Sequence, residues 1–317
     1  QTLRLRDPEI VITGFDRPNL YYRVETTRRK DAFVADYVRS HPGESGIIYC
    51  ATRKNVDAVQ EMLQCEDISA ARYHAGMTNE ERRQSQNDFI YDAAPVIVAT
   101  NAFGMGIDKS NVRYVIHYNM PQSMENYYQE AGRAGRDGLP SQCILLFSPQ
   151  DIVINRFLLD HKENDDLDDE AADLLRARDN QRLQAMANYC QTTGCLRNYI
   201  LRYFGEEPAE PCGSCGNCDR EFEEVDMTAQ AKWMINCVAE TRGRYGKGVV
   251  LNTLRGANMA RLRELGAMDY RSYGQLKDCT RDELDCLLAQ LLEEGYLVQT
   301  DDQYAVLHIG DIAPLKA

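Results

Sequence analysis

Pro95-Val-Ile-Val-Ala-Thr100, Asn101-Ala-Phe-Gly-Met-Gly-Ile-Asp-Lys109 and Val112-Arg-Tyr-Val-Ile-His117 read as an apolar run, a glycine-bearing loop and a second apolar run. Short continuous apolar runs suit strands buried on both faces, and Gly104 and Gly106 punctuate the loop between them. Upstream, Gly46-Ile-Ile-Tyr-Cys-Ala51 is another such run. A polar helix follows from Arg53 to about Gln64, then a strand from Ser69 to Tyr73, the loop His74-Ala-Gly-Met-Thr78 and a helix reaching Phe89. Strands alternating with helices predict a parallel sheet with helices on both faces, whose ligand loops leave the carboxyl ends of the strands. Gly104 and Gly106 do not make a dinucleotide fingerprint, because the third glycine is missing and no helix opens there.

Beyond the second run lies Gln129-Glu-Ala-Gly-Arg-Ala-Gly-Arg-Asp-Gly138. At helical spacing Gln129 and Arg133 are i, i+4 neighbours and Arg136 follows at i+7, beside glycines that leave room for a phosphate. A guanidinium fork suits the charge spread over a transferring phosphoryl group, which makes this stretch a candidate arginine finger. The alternative is a glycine-capped helix end with solvated arginines.

The segments ATRK (51–54), YHAGM (73–77), VATNAFGMGIDK (98–109) and YYQEAGRAGRDG (127–138) resemble the second-lobe motifs of a superfamily 2 helicase, and together they resemble the RecQ family. Phe15-Asp-Arg-Pro-Asn-Leu20 is similar to the RecQ lead-in between two motor lobes. The resemblance implies a lead-in at 1–24, a second RecA-like lobe at 25–160 and ATP hydrolysis, with Mg²⁺, against a first lobe bearing a GxxxxGK[ST] loop. That loop does not occur in the sequence: Gly246-Lys247 is followed by Gly248. The expectation is therefore a fragment lacking the first lobe, which binds DNA without hydrolysing ATP alone. Gln129, Arg133 and Arg136 would reach the γ-phosphate, and Gly106 and Asp108 are the nucleotide-side candidates, Asp108 either ordering its loop or contacting the sugar. Thr52, Arg53, His74, Thr100 and Asn101 are candidates for tracking single-stranded DNA. Thr52 has a helix N-cap as its alternative, and His74 a satisfied loop position.

Eleven cysteines in 317 residues would suggest disulfides only in a secreted chain, and an odd total argues against complete internal pairing. No apolar run approaches the roughly 20 residues needed to span a bilayer, and Gln1 opens no signal peptide. The reading is cytoplasmic, nucleoid-associated if the resemblance holds. Cys212-Gly-Ser-Cys-Gly-Asn-Cys218 supplies three thiolates at metal spacing, and a tetrahedral structural zinc needs a fourth. Cys195, 17 positions before Cys212, matches the separation of the RecQ zinc module and is preferred to Cys190, which follows an apolar helix face. An iron–sulfur site is disfavoured because no fourth cysteine followed by proline is present. The helical zinc module is expected at 161–224. Its acidic stretch, Lys162 to Asp173, reads as a solvated first turn of a helix from Leu174 to Tyr189.

From residue 225 onward the pattern predicts short amphipathic helices (Ala231–Thr241, Lys247–Leu254, Met259–Leu265, Arg281–Glu294) and a hairpin around Asp301-Asp302, which together suggest a winged helix. Net charge is −13, yet Arg242, Arg244, Lys247, Arg255, Arg261, Arg263, Arg271 and Lys277 face only Glu264 and Asp269 between positions 242 and 277. Such a stripe suits phosphate neutralisation, with Asn258 opening the helix that approaches DNA, although a mixed soluble surface remains the alternative. Acidic residues at the hairpin turn are poor duplex wedges beside phosphate, so the winged helix is assigned duplex binding. The resemblance implies a 3′ to 5′ DNA helicase of recombination and repair, with single-stranded DNA, duplex junctions, the first lobe and a single-strand-binding protein as partners and no membrane. A superfamily 2 RNA helicase fragment and a non-enzymatic zinc and winged-helix DNA-binding protein are the alternatives.

Overall fold

A computed structural model describes residues 14–104, 109–160, 169–208, 210–220, 225–300 and 305–311. The chain begins with β1 (Leu20–Thr26), α1 (Lys30–Ser40), β2 (Ser45–Tyr49), α2 (Arg53–Cys65), β3 (Ala70–Tyr73), α3 (Asn79–Ile90) and β4 (Val96–Ala99). It continues with β5 (Val112–His117), α4 (Met124–Ala131) and β6 (Ser141–Phe147). The six strands form one sheet in the order β1-β6-β5-β2-β4-β3. Pairings among β2 to β6 are parallel, with Ile47 opposite Ile97 and Val115, and Ile116 opposite Ile144. Every residue of β2 and β4 is buried, as the unalternating runs require of strands covered on both faces.

The helices of this sheet start where side chains cap them. Thr52 accepts from the Asn55 N–H at the head of α2, and Thr78 and Glu81 form a reciprocal capping box at the head of α3. Val56, Val59 and Leu63 then bring the apolar stripe of α2 into the core with Ile48, Val96 and Val98.

After β6 come α5 (Pro149–Asp160), α6 (Asp169–Gln191) and α7 (Leu196–Tyr203). Two compact units result, and they do not follow chain order. The first holds everything described up to Asn119, with Met124–Leu146 and Gly194–Asp219, so α7 and the cysteine run belong with the sheet. The reason is local: Tyr22 of edge strand β1 forms a parallel bridge to Cys215, and the Gly216 N–H donates to the Tyr22 carbonyl at 2.8 Å. The cysteine loop thereby covers backbone groups that an open edge would leave unpaired.

The second unit holds α5, α6 and the remainder of the chain from Arg220. It contains α8 (Thr228–Thr241), α9 (Lys247–Leu254), α10 (Ala260–Glu264), a 3₁₀ turn at Ala267–Asp269 and α11 (Arg281–Glu293), then β7 (Leu297–Gln299) and β8 (Leu307–Ile309). Leu284, Leu287, Leu288 and Leu291 of α11 pack with Met234, Val238, Val250, Leu254, Leu297 and Leu307. Strands β7 and β8 pair antiparallel, Leu297 opposite Ile309, while the expected Asp301-Asp302 turn lies outside the described residues. The acidic stretch from Lys162 to Asp168 lies outside them too. Among the described residues no helix is long and apolar enough to cross a membrane.

Candidate functional site and cysteine centre

The helical spacing expected for Gln129, Arg133 and Arg136 stops short. Helix α4 ends at Ala131, and residues 132–137 form consecutive turns. The Ala134 N–H bonds back to the Ala131 carbonyl at 3.0 Å, tightening the last turn, and the Gly135 N–H turns away to the Val112 carbonyl at 2.9 Å. Gly135 adopts φ +56°, a left-handed conformation that favours glycine and keeps the turn from resuming the helix.

This break separates the three side chains. Gln129 and Arg136 are exposed, whereas Arg133 is only 8% exposed and donates from Nη1 to the Gly104 carbonyl at 2.6 Å. Gly104 sits at φ +137°, and a Cβ there would fall 2.1 Å from the Arg133 guanidinium carbon, so the glycine is the condition for the guanidinium's approach. Beneath the turn, buried Glu130 meets His117 Nε2 at 2.9 Å, and the imidazole packs between Tyr49 and Tyr127 with ring centroids 5.5 and 4.9 Å away. Arg133 therefore anchors the loop after β4, while Arg136 is presented outward beside it.

Arg17, to which the sequence assigned no role, closes the turn from the other side. Its Nη1 donates to the Gly132 carbonyl at 3.3 Å, and its Nη2 to those of Ala134 and Gly135 at 3.1 and 3.0 Å. These carbonyls lie in the turn just past the end of α4, where a cation is favoured by the helix dipole as well. An arginine three residues before β1 and followed by Pro18 was the available signal, but its target lies more than a hundred positions away.

The candidates for single-stranded DNA follow the carboxyl ends of three adjacent parallel strands: Thr52 and Arg53 after β2, His74 after β3, Thr100 and Asn101 after β4. Their side chains differ in what they have left to offer. Thr52 caps α2, and Thr100 is 9% exposed. His74 is buried, with Nδ1 accepting from the Gly76 N–H at 3.1 Å and Nε2 donating to Asp57 at 3.1 Å. Arg53 and Asn101 are exposed. Gly106 and Asp108 lie outside the described residues.

Cys195, Cys212, Cys215 and Cys218 bring their sulfurs within 4.8 Å of one another. Cys195 caps α7, where its Sγ accepts from the Asn198 N–H, and it also accepts from the Cys212 N–H at 3.3 Å. Cys212 and Cys218 sulfurs are 3.9 Å apart, close to the about 3.8 Å that two ligands subtend on a tetrahedral zinc with 2.3 Å bonds. Burial raises the Cys212 thiol and pushes that of Cys218 to about 12. At Cys215 burial also raises the thiol, but N–H donors of Cys218, Leu196 and Asn217 outweigh it and draw the value down to about 7. Four thiolates this close require a cation, and four sulfurs with no open position suit a structural Zn²⁺. Cys190 is buried elsewhere, outside this cluster.

In the second unit Arg242, Arg244, Lys247, Arg255, Arg261, Arg263, Arg271 and Lys277 are all exposed, as is Asn258. Lys247 shares Asp285 with Arg281, at 3.4 and 2.9 Å. The sequence placed these residues on one stripe, and the fold leaves all of them in solvent around the leucine core.

Three family descriptions match consecutive parts of the chain: Helicase conserved C-terminal domain at 29–138, RecQ zinc-binding at 149–219 and RQC domain at 221–313. The chain is 40% identical over 97% of its length to the ATP-dependent DNA helicase RecQ of Bacillus subtilis, 51% of which it covers. The chain belongs to the RecQ family. It is also 34% identical over 95% of its length to the ATP-dependent DNA helicase RecQ of Pasteurella multocida, covering 46% of that protein. The bifunctional 3′-5′ exonuclease/ATP-dependent helicase WRN of Mus musculus is 34% identical over 94% of the chain, which covers 22% of it. The chain thus spans about half the length of the bacterial RecQ proteins it matches. Its consecutive parts are a RecA-like lobe, a zinc-binding segment and an RQC domain of winged-helix type.

Proposed function

We propose that this chain supplies the arginine-bearing side of an ATP-hydrolysing cleft whose phosphate-cradling side is a P-loop lobe, and that it engages duplex DNA through the winged helix. The observation that carries the reading is the ordered turn at 132–138, where exposed Arg136 stands on a backbone fixed by Arg17 and by buried Arg133. Arg136 is the group that meets the charge developing on a transferred phosphoryl group. Gln129 lies at the same rim, and Arg133 keeps the Gly104 loop in register with the finger. A preorganised donor avoids reorganisation at the moment of reaction, which is where such groups gain their effect.

The DNA side rests on different chemistry. Eight exposed basic residues oppose two acidic ones between positions 242 and 277, and binding through them releases counterions. Arg53 and Asn101 at the strand ends contact the tracking strand, and closure of the lobes drives stepping 3′ to 5′, as the family resemblance implies. Bound at Cys195, Cys212, Cys215 and Cys218, Zn²⁺ would supply structural cross-linking alone. In the cell the protein works on the nucleoid, at recombination and repair intermediates.

The test is complementation. Joined to a P-loop lobe, the chain should hydrolyse ATP with stimulation by a 3′-tailed DNA duplex and not by the matched RNA. No hydrolysis by the folded two-lobe protein would overturn the ATPase reading, and equal stimulation by RNA would overturn the DNA assignment.

A further inference from the structure

We propose that Arg17 and Asn19 are positioning residues for the arginine finger, held in place by the cysteine centre through Arg197. The proposal rests on the reading of Arg136 as that finger and extends it to how the finger is aimed.

The lead-in from Phe15 to Tyr22 has two sides, each tied to a different element of the same compact unit. Toward the finger, Arg17 gathers the Gly132, Ala134 and Gly135 carbonyls, and Asn19 Nδ2 donates to the carbonyls of Gly135 at 2.8 Å and Leu139 at 3.0 Å. One guanidinium fork and one amide thus hold the backbone on both sides of Arg136. A Cβ at Gly135 would fall 2.4 Å from Asn19 Nδ2, so the approach itself depends on the glycine.

Toward the cysteines, Arg197 stands two residues after Cys195 on α7 and is 6% exposed. Its Nη1 donates to Asp16 at 2.9 Å, and its Nη2 to the carbonyls of Leu20 at 2.8 Å and Pro18 at 3.3 Å, so its contacts bracket Arg17 and Asn19. Phe15 stacks on Phe204 just past the end of α7 with centroids 4.4 Å apart, and Tyr22 is bridged to Cys215.

Charge-assisted hydrogen bonds of this kind, partly buried and several to one guanidinium, have few alternative arrangements, because moving either partner leaves a charged group unpaired. A shift at α7 or at the cysteine loop is therefore passed to Asp16, Pro18 and Leu20, and from Arg17 and Asn19 to the finger turn. Rate is sensitive to such shifts: a displacement of about 1 Å can cost on the order of 100-fold. Zinc bound by the four cysteines would act on ATP turnover at a distance, through the backbone position of residues 132–138.

The experiment has two arms. In the full chain, amide hydrogen exchange of residues 132–139 and zinc content are measured for the unaltered protein, Arg17→Ala and Arg17→Lys, each before and after chelation. In the two-lobe enzyme, kcat and KM for ATP are measured for the same variants and for Arg136→Ala. The expected result is that Arg17→Ala speeds exchange of the turn by roughly tenfold or more with zinc retained. It should lower kcat about 10- to 100-fold with KM changed by less than about twofold. Arg17→Lys, which keeps the charge but loses the fork, should fall between the two, and it carries the comparison should Arg17→Ala not fold. Chelation should speed the same amides in the unaltered chain and add little in Arg17→Ala.

Unchanged exchange and kcat in Arg17→Ala would overturn the positioning role. Chelation that leaves the turn protected, or that adds its full effect to Arg17→Ala, would overturn the link to the cysteine centre. Loosened exchange in Arg17→Ala together with normal turnover in Arg136→Ala would instead sink the finger reading, leaving the tie itself intact.

Discussion

The turn carrying Arg133 and Arg136 and the stripe from Arg242 to Lys277 both present guanidinium groups, but they hold them in opposite ways. In the turn, Arg133 is buried against the Gly104 carbonyl, Arg17 fills three carbonyls, and the glycines at 104 and 135 are set by close approach of other groups. Along the stripe every basic side chain is exposed, and order resides beneath it, in the leucine core of α8, α9 and α11. The difference matches the tasks proposed for the two regions. A group that stabilises one transition state must be fixed beforehand, whereas groups that neutralise a phosphate backbone work as a field and tolerate rearrangement.

The largest effect that would sharpen this contrast is metal removal. Structural zinc contributes on the order of 10 kcal/mol in small modules, so chelation should unfold the cysteine loop and loosen the finger turn while the leucine core of the winged helix keeps its own thermal transition. Circular dichroism with residue-resolved hydrogen exchange reads both, and equal loss in the two regions would erase the distinction. Next, Gly104→Ala places a methyl group against the Arg133 guanidinium at a backbone conformation that side chains avoid. A cost of about 1–3 kcal/mol in thermal unfolding of the sheet-bearing unit is expected, with the finger turn exchanging faster. Thr52→Ala removes the cap of α2 and should cost about 1 kcal/mol with little loss of single-strand affinity. A large affinity loss without destabilisation would return Thr52 to the DNA contacts. Smallest in stability is Arg255→Ala, which should leave unfolding unchanged and lower the salt slope of duplex binding by about one. An unchanged slope would remove Arg255 from the phosphate contacts.

How much of this was legible in the sequence depended on the range of the interaction. The strand-loop-strand at 95–117 announced the parallel sheet because burial on both faces leaves a local signature, and α9 runs from Lys247 to Leu254 as its periodicity predicts. Cysteine spacing was equally local, since Gly213 and Gly216 keep Cys212, Cys215 and Cys218 together and only Cys195 arrives from another element. The finger turn was misjudged in geometry. Helical spacing was expected through Arg136, but the helix stops at Ala131, and the guanidinium that binds the carbonyls of the turn after it lies 115 to 118 positions earlier. Arg133 and Arg136 look equivalent in the sequence, and only the carbonyl of Gly104 tells them apart. The attachment of the cysteine run to β1 was hidden for the same reason: it is a contact between Tyr22 and Cys215.

Whether this region brings an arginine finger to a phosphoryl-transfer site is decided by Arg136→Ala in the two-lobe enzyme at saturating DNA. The account predicts a fall in kcat of at least about 10³-fold, with duplex affinity and zinc content unchanged. Turnover equal to that of the unaltered enzyme would contradict it and leave the ordered turn as a structural element only.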